Sequence, residues 1–438
     1  MTTITIDSLA YGGDAVGRLP DGRAAFVIGG CPGDRVKIEI TEDRDRFVRG
    51  RVVDVVEASA LRVTPPCPYF GVCGGCQWQH VAYAGQLDAK RSAVVDALRR
   101  IGKIGNAEEL VASTVPSPTE YGYRNKIELV ADPVAPRLTL GYHKRASAEV
   151  VPVELCLLVP RKHQKAPKAI TGALRYISGE NDLEISRIAL RVARNTKDVE
   201  VAIWTPPGPF PRAAAAKVLG QALPLTSLVR VLHKGDPGKR EVTKVEVLSG
   251  KGLWRERLAG HGYALSAPSF FQNNTALAEK LVELVLSALQ PDGTDRVLDL
   301  YSGAGTFTLP LAAVAGEVVA VESSGPAIRD LRRNLESNEL WAEAVGGDAA
   351  REIGELGHFD LVVVDPPRAG LAEPVLAALG SSHPRTMAYV SCDPATLARD
   401  AQRLEEQGLA LTSVTPVDLF PQTYHVECVA TFEPRQSS

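Results

Sequence analysis

The sequence predicts an open, mostly parallel α/β domain in its C-terminal part, preceded by a small β-barrel and a mixed α+β central region. Three observations predict this. From about residue 270 apolar strands (RVLDLY, VVAVESS, DLVVVDPP, TMAYVSC) alternate with amphipathic helices, the pattern of a doubly wound sheet. Residues 1–58 instead hold short, partly alternating segments (ITIDSLA, AAFVIG, RVKIEITED, RFVRGRVVDVVE) broken by Gly12-Gly13, Pro20-Asp21-Gly22 and Gly29-Gly30, the texture of a small barrel. Residues 59–262 mix strand-like runs (KIELVAD, RLTLGYH, LRVARNTKDVEVAIW) with loops such as TPPGPFP.

Composition bounds the function. The 438 residues are 45% hydrophobic and 23% charged, as in an ordinary globular protein with several cores. No apolar run approaches the ~20 residues of a membrane span. The start, MTTITIDSLAYGG, lacks a basic and an apolar signal region, so a cytoplasmic protein is expected. Net charge is only -3, but residues 61–170 carry 15 Lys and Arg against 9 Asp and Glu, while both flanking stretches are net acidic. A basic block of this kind suits a polyanion met on one face. In the barrel, Arg44, Arg46, Arg49 and Arg51 surround Phe47, a pattern that serves single-stranded nucleic acid by stacking and phosphate contact, or equally a solvated face.

After the linker Thr64-Pro65-Pro66 come Cys67, Cys73 and Cys76, three of the seven cysteines within ten residues. In a reducing compartment such crowding favours a metal or cluster site over disulfides. Cys31 has no partner at ligand spacing and reads as structural. Residues 84–101 are periodic at helical spacing, with Leu87, Val94, Val95, Leu98 and Ile101 on one stripe. That helix, with its exit to residue 104, is expected to pack on the C-terminal domain, 263–438.

Three strand-end motifs carry the chemistry. In VLDLYSGAGTFTLPLA a strand ends near Asp299, and Gly303 and Gly305 permit a tight turn against a ligand before a helix. Thr308 stands where a dinucleotide fingerprint has its third glycine. With Glu322 closing the next strand, placed to bind ribose hydroxyls, this suits adenosine without a pyrophosphate and resembles the S-adenosylmethionine site of class I (Rossmann-like) methyltransferases. The second motif is Asp365-Pro366-Pro367-Arg368, where two prolines fix the chain as it leaves the sheet. The third is Ser391-Cys392-Asp393-Pro394, with Asp393 as N-cap and Pro394 as first helical residue. A helix N-terminus lowers a thiol pKa, so Cys392 is expected to be activated.

A thiolate beside a methyl donor has a use. Pyrimidine C5 is a poor nucleophile until a thiolate adds at C6; a base must later remove the C5 proton. Glu427, in TYHVECVATF, is the candidate base, although a lone Glu in a strand ordinarily faces solvent. Cys428 then points to the opposite face, into the core.

DLYSGAGTFTLPLA, DPPR, SCDP and HVE, in this order, resemble the RNA 5-methyluridine methyltransferases of the TrmA/RumA type, and residues 1–58 resemble a TRAM domain, that family's RNA-binding barrel. Ser269-Phe270-Phe271-Gln272-Asn273-Asn274, CPYFGVCGGCQWQH and Tyr123-Arg124-Asn125-Lys126 extend the resemblance over nearly the whole chain. It implies Cys392 as nucleophile and Glu427 as base. It also implies S-adenosylmethionine contacts from Gln272, Tyr301, Gly303, Thr306, Glu322, Asp348 and Asp365. Four thiolates, Cys67, Cys73 and Cys76 with Cys156 as fourth, would serve a [4Fe–4S] cluster or a zinc ion on spacing alone; the resemblance implies the cluster. Arginine rather than a second cysteine after Pro366-Pro367 favours uridine over cytosine. A non-catalytic RNA-binding iron–sulfur protein is the alternative of another class. Barrel and cluster together resemble members acting on large-subunit (23S-type) rRNA, with tRNA as the other substrate class, and a monomer is expected.

Overall fold

The computed structural model describes residues 1–179, 182–235 and 241–435. Its first element is a closed barrel in which Thr2–Leu9, Ala15–Arg18, Ala24–Ile28, Phe47–Glu57 and Arg35–Asp43 are neighbours in that order. The predicted glycine turns join these strands. Alternation puts Ile4, Ile6, Val27, Val36, Ile38 and Val48 inside, with Cys31 buried among them as a structural residue. Trp78 and Val81, from beyond the linker, complete this core. Asp34, fully buried, accepts from the Cys31 and Ser59 amides and from Arg62, which fixes the exit of the barrel.

The central region builds a mixed seven-stranded sheet, in the order Glu241–Gly250, Ser227–Lys234, Val199–Thr205, Arg187–Val192, Lys126–Ala131, Leu140–His143, Val150–Pro152. Helices Ala166–Ser178 and Arg212–Ala222 pack on one face of it.

The C-terminal sheet is the Rossmann-like one that the sequence predicts. Its order is Glu343–Gly346, Glu317–Glu322, Arg296–Leu300, Leu361–Val364, Thr386–Ser391, Glu427–Pro434, Leu409–Val417. The first five strands run parallel, and Glu427–Pro434 is antiparallel to both its neighbours. The strands are almost continuously apolar because both faces are covered. One cover is the helix Tyr83–Arg100, whose Val94, Val95 and Leu98 share a core with Leu298, Val364 and Ala398. Ile101 falls beyond the helix end and is 41% exposed, so the stripe stops at Leu98. The hairpin Trp254–Leu265 packs with helix Thr275–Leu289 on the other face.

Candidate active site

Every strand-end motif emerges at the carboxyl edge of the parallel sheet, where doubly wound folds hold ligands. Tyr301 leaves Arg296–Leu300 with φ 64°, a left-handed conformation costly for a bulky residue. Gly303 and Gly305 follow at φ 57° and 98°. At Gly305 a Cβ would lie 2.5 Å from Leu309 and 2.7 Å from Leu331, so only glycine lets the turn sit on its helix. Thr308 has its own reason for replacing the third glycine: its hydroxyl donates to Asp299 Oδ2 at 2.6 Å. Burial pushes the Asp299 carboxyl up to about 7, and its Oδ1 lacks a partner.

Glu322 accepts from the Gly303 amide at 2.9 Å and from the Ser324 amide, so the carboxylate fastens the glycine turn to the next strand. A carboxylate has lone pairs beyond two bonds, which leaves acceptors for ribose hydroxyls. Asp348 caps helix Ala349–Glu352 by accepting from Ala350 N; burial raises the Tyr301 phenol, and Asp348 adds to that. The Thr306 carbonyl accepts from Tyr263 Oη at 3.4 Å. An under-satisfied Asp299, two positive-φ glycines and a carboxylate at the turn fit an adenosine-bearing cofactor.

Gln272 reaches this edge from another segment and donates to Asp365 Oδ2 at 3.4 Å. Asn125 of the central region holds it there, donating to the Gln272 carbonyl at 2.8 Å and to Thr275 Oγ1 at 3.0 Å. Buried Arg191 adds bonds to the carbonyls of Ser266, Ala267 and Ser269.

Cys392 and Glu427 come together by register. Ser391 pairs with Cys428 in the antiparallel ladder, so the next step sets Cys392 opposite Glu427. Glu427 is 3% exposed, against the ordinary expectation for a strand glutamate. Burial, followed by the neighbouring Asp365, pushes its carboxyl well above the usual range, with Arg368 opposing. Asp365 is itself pushed up to about 7 by burial. Cys428 is buried in the core, as its opposite face requires.

The Cys392 thiol departs from expectation. It is pushed up to about 11, first by burial and then by Glu427, with Arg368 pulling it down. The amides at that helix end are taken by Asp393, whose carboxylate accepts from Ala395 N and Thr396 N. Sequence reasoning used Arg368 only to choose between bases, yet its positive charge also acts on the Cys392 thiol and lowers it. Alkylation of Cys392, followed by peptide mass spectrometry, should therefore accelerate with pH to a midpoint well above the ~8.5 of free cysteine. Arg368→Gln should move the midpoint higher still. A midpoint at or below the free value would contradict this electrostatic account.

Tyr424 and His425 precede Glu427, with ring centroids 4.2 Å apart. Burial, aided by Arg368, lowers the His425 imidazole to about 4, so it is neutral at physiological pH.

The four cysteines Cys67, Cys73, Cys76 and Cys156 line one cavity of about 300 Å³, with Arg124, Lys126, Phe270 and Asn273 on its wall. The Gly75 amide donates to Cys73 Sγ at 3.4 Å. Burial raises the thiols of Cys67, Cys73 and Cys76, the last to about 12. Among the described residues no three His, Cys, Asp or Glu side chains stand together as a group able to hold a metal ion, so the expected metal site is not drawn to single-ion geometry.

The barrel arginines also differ from a bare basic face. Arg49 pairs with Asp14 at 3.0 Å and lies over the rings of Phe26 and Phe47, while Arg44 pairs with Glu42 and Arg51 with Glu39. Arg46 is exposed.

This sheet, with its glycine turn and carboxyl-edge cluster, defines a methyltransferase using S-adenosylmethionine. Comparison with known proteins narrows the class. The model of the tRNA (uracil-5-)-methyltransferase family matches residues 257–345 and 351–434, and that of the TRAM domain matches residues 2–53. Uncharacterised RNA methyltransferases of Thermosynechococcus vestitus and Gloeobacter violaceus are each 34% identical, over 98% of this chain and 96% of theirs. The crystal structure of the tRNA (uracil-54, C5)-methyltransferase of Pyrococcus abyssi with S-adenosyl-L-homocysteine superposes with a TM-score of 0.78. That match is 29% identical and covers 98% of this chain and 99% of that one. The chain belongs to the RNA (uracil-C5)-methyltransferase family, and its activity is methyl transfer from S-adenosylmethionine to uracil C5 in RNA. No helix among the described residues is long and apolar enough to cross a membrane.

Proposed function

We propose that the chain methylates a uridine of structured RNA through a covalent bond between Cys392 Sγ and C6 of the base. The observation that carries this reading is the antiparallel register that sets Cys392 opposite buried Glu427, with Asp365 and Arg368 beside them. S-adenosylmethionine, when bound, supplies an electrophilic methyl group. Gln272, Tyr301, Gly303, Thr306, Glu322, Asp348 and Asp365 hold and orient it. Arg368 steadies the Cys392 thiolate as the sulfur adds to C6 and C5 becomes enolate-like. After methylation Glu427 takes the C5 proton, and the C6–S bond breaks to restore the ring and the thiolate. Glu427 must be ionised for that step, and Arg368, which opposes the effect of burial and of Asp365, favours its ionisation. The target base leaves its stack to reach the sulfur.

The cysteine cavity is proposed to hold a [4Fe–4S] cluster on Cys67, Cys73, Cys76 and Cys156. The four thiols on its wall and the amide bond to Cys73 Sγ support this. Anaerobically purified protein should be brown, and Cys73→Ala should bleach it and lower its soluble yield. Colourless protein with stoichiometric zinc would overturn the assignment.

For the RNA, the resemblance points to large-subunit rRNA. A specific observation favours tRNA as second reading, since a tRNA enzyme matches this architecture over 98% of the chain. Mapping 5-methyluridine in total RNA of a deletion strain decides. Loss from rRNA supports the first reading, loss from tRNA the second, and no loss anywhere would contradict the function.

A further inference from the structure

The turn Ala10–Asp14 of the barrel leans on the catalytic core through Tyr11 and buried Gly13. Tyr11, half-buried against the catalytic core, donates its hydroxyl toward the Cys392 carbonyl at 3.3 Å and Asp393 Oδ2 at 3.4 Å. Its ring meets Tyr424 edge-on, centroids 5.4 Å apart. The turn is itself anchored on several sides. Arg145 donates to the Gly12 carbonyl and to Asp14 Oδ1, at 3.0 and 2.6 Å. Trp78 Nε1 donates to the Gly13 carbonyl at 3.3 Å. Gly13 has φ 92°, and a Cβ there would meet Gln77 at 2.9 Å and Tyr424 at 3.1 Å, so the backbone approaches as closely as glycine permits.

We infer that Tyr11 is a positioning residue for the methyl-transfer reaction: the RNA-binding barrel completes the loop that carries the nucleophile. This rests on the reading of Cys392 as nucleophile. The hydroxyl donates toward the carbonyl of the Cys392–Asp393 peptide and toward the Asp393 side-chain carboxylate, and Asp393 caps the helix on which that peptide is seated. The sulfur must approach C6 along a narrow path, and small misplacements there are costly. The barrel thereby acts on the chemical step as well as on binding. Tyr11 touches no reacting atom; its effect passes through the Cys392 backbone.

Full-length Tyr11→Phe keeps the ring against Tyr424 and removes only the hydroxyl, so it should fold and bind RNA and cofactor as the parent does. Its single-turnover methylation rate at saturating RNA should fall about 10- to 100-fold, with both dissociation constants unchanged within about twofold. Tyr11→Ala should lose more, because the ring contact goes as well. A Phe variant with the parental rate, or one whose whole loss lies in RNA affinity, overturns the inference. Cys392→Ala, assayed alongside, separates the two levels. If it is inert while Tyr11→Phe is normal, only the positioning role fails; if it still methylates, the nucleophile assignment fails and the positioning role with it.

Discussion

Replacing Cys392 with alanine should abolish methylation and any covalent RNA adduct, whereas Glu427→Gln should accumulate one. The two residues act at opposite ends of the reaction. Without the sulfur, C5 never becomes nucleophilic, so no product and no intermediate form. With glutamine at 427, addition and methyl transfer can proceed, but the C5 proton has no acceptor and the C6–S bond cannot break. Multiple turnover should fall about 10²- to 10⁴-fold, the usual contribution of a positioned base. A protein–RNA species resistant to denaturing gels, carrying the donor's methyl group, should appear in step. Normal turnover by Glu427→Gln would move the base elsewhere. Neutral His425 is the nearest candidate in sequence.

The second large effect is on stability. Lys90 and Asp418 are both fully buried and form an ion pair, and Lys90 also donates to the Phe420 carbonyl at 3.1 Å. The pair pins the helix Tyr83–Arg100 to the loop leading to Tyr424, His425 and Glu427. Tyr123 Oη on the Pro421 carbonyl and reciprocal Gln86–Gln422 bonds tighten the same loop. Asp418→Ala leaves an ammonium in an apolar core and should cost about 3–5 kcal/mol of unfolding free energy. The double variant Lys90→Met, Asp418→Leu removes both charges and should recover most of that loss. Denaturant melts of the three proteins check this. A double variant no more stable than the single one would show that the pair is not the source of the cost.

The parts of the site that could be read from sequence are those written within a few residues. Gly303, Gly305 and Glu322 announce a cofactor turn because backbone conformation and a strand-end carboxylate are local properties. Asp393 and Pro394 announce a helix start for the same reason, and the structure has it there. Glu427 was legible through resemblance; its burial follows from a strand pairing that composition does not encode. The activation expected of Cys392 failed because a local rule, the helix N-terminus, lost to burial and to a glutamate from another strand. Tyr11 left no signal at all, its partners lying 381 and 382 residues away. Arg44, Arg49 and Arg51 read as a nucleic-acid or a solvated face, yet each has an acidic partner, Glu42, Asp14 and Glu39 in turn. Lys90 sits within a recognisable apolar stripe, but only the fold shows which aspartate meets it.

Incubating the protein with RNA and deuterium-labelled S-adenosylmethionine, then digesting the RNA to nucleosides for mass spectrometry, tests the central claim most directly. The label should appear in 5-methyluridine, in wild-type protein and not in Cys392→Ala. Label in 5-methylcytidine, or in 5-methyluridine made by the Cys392→Ala protein, would contradict the account.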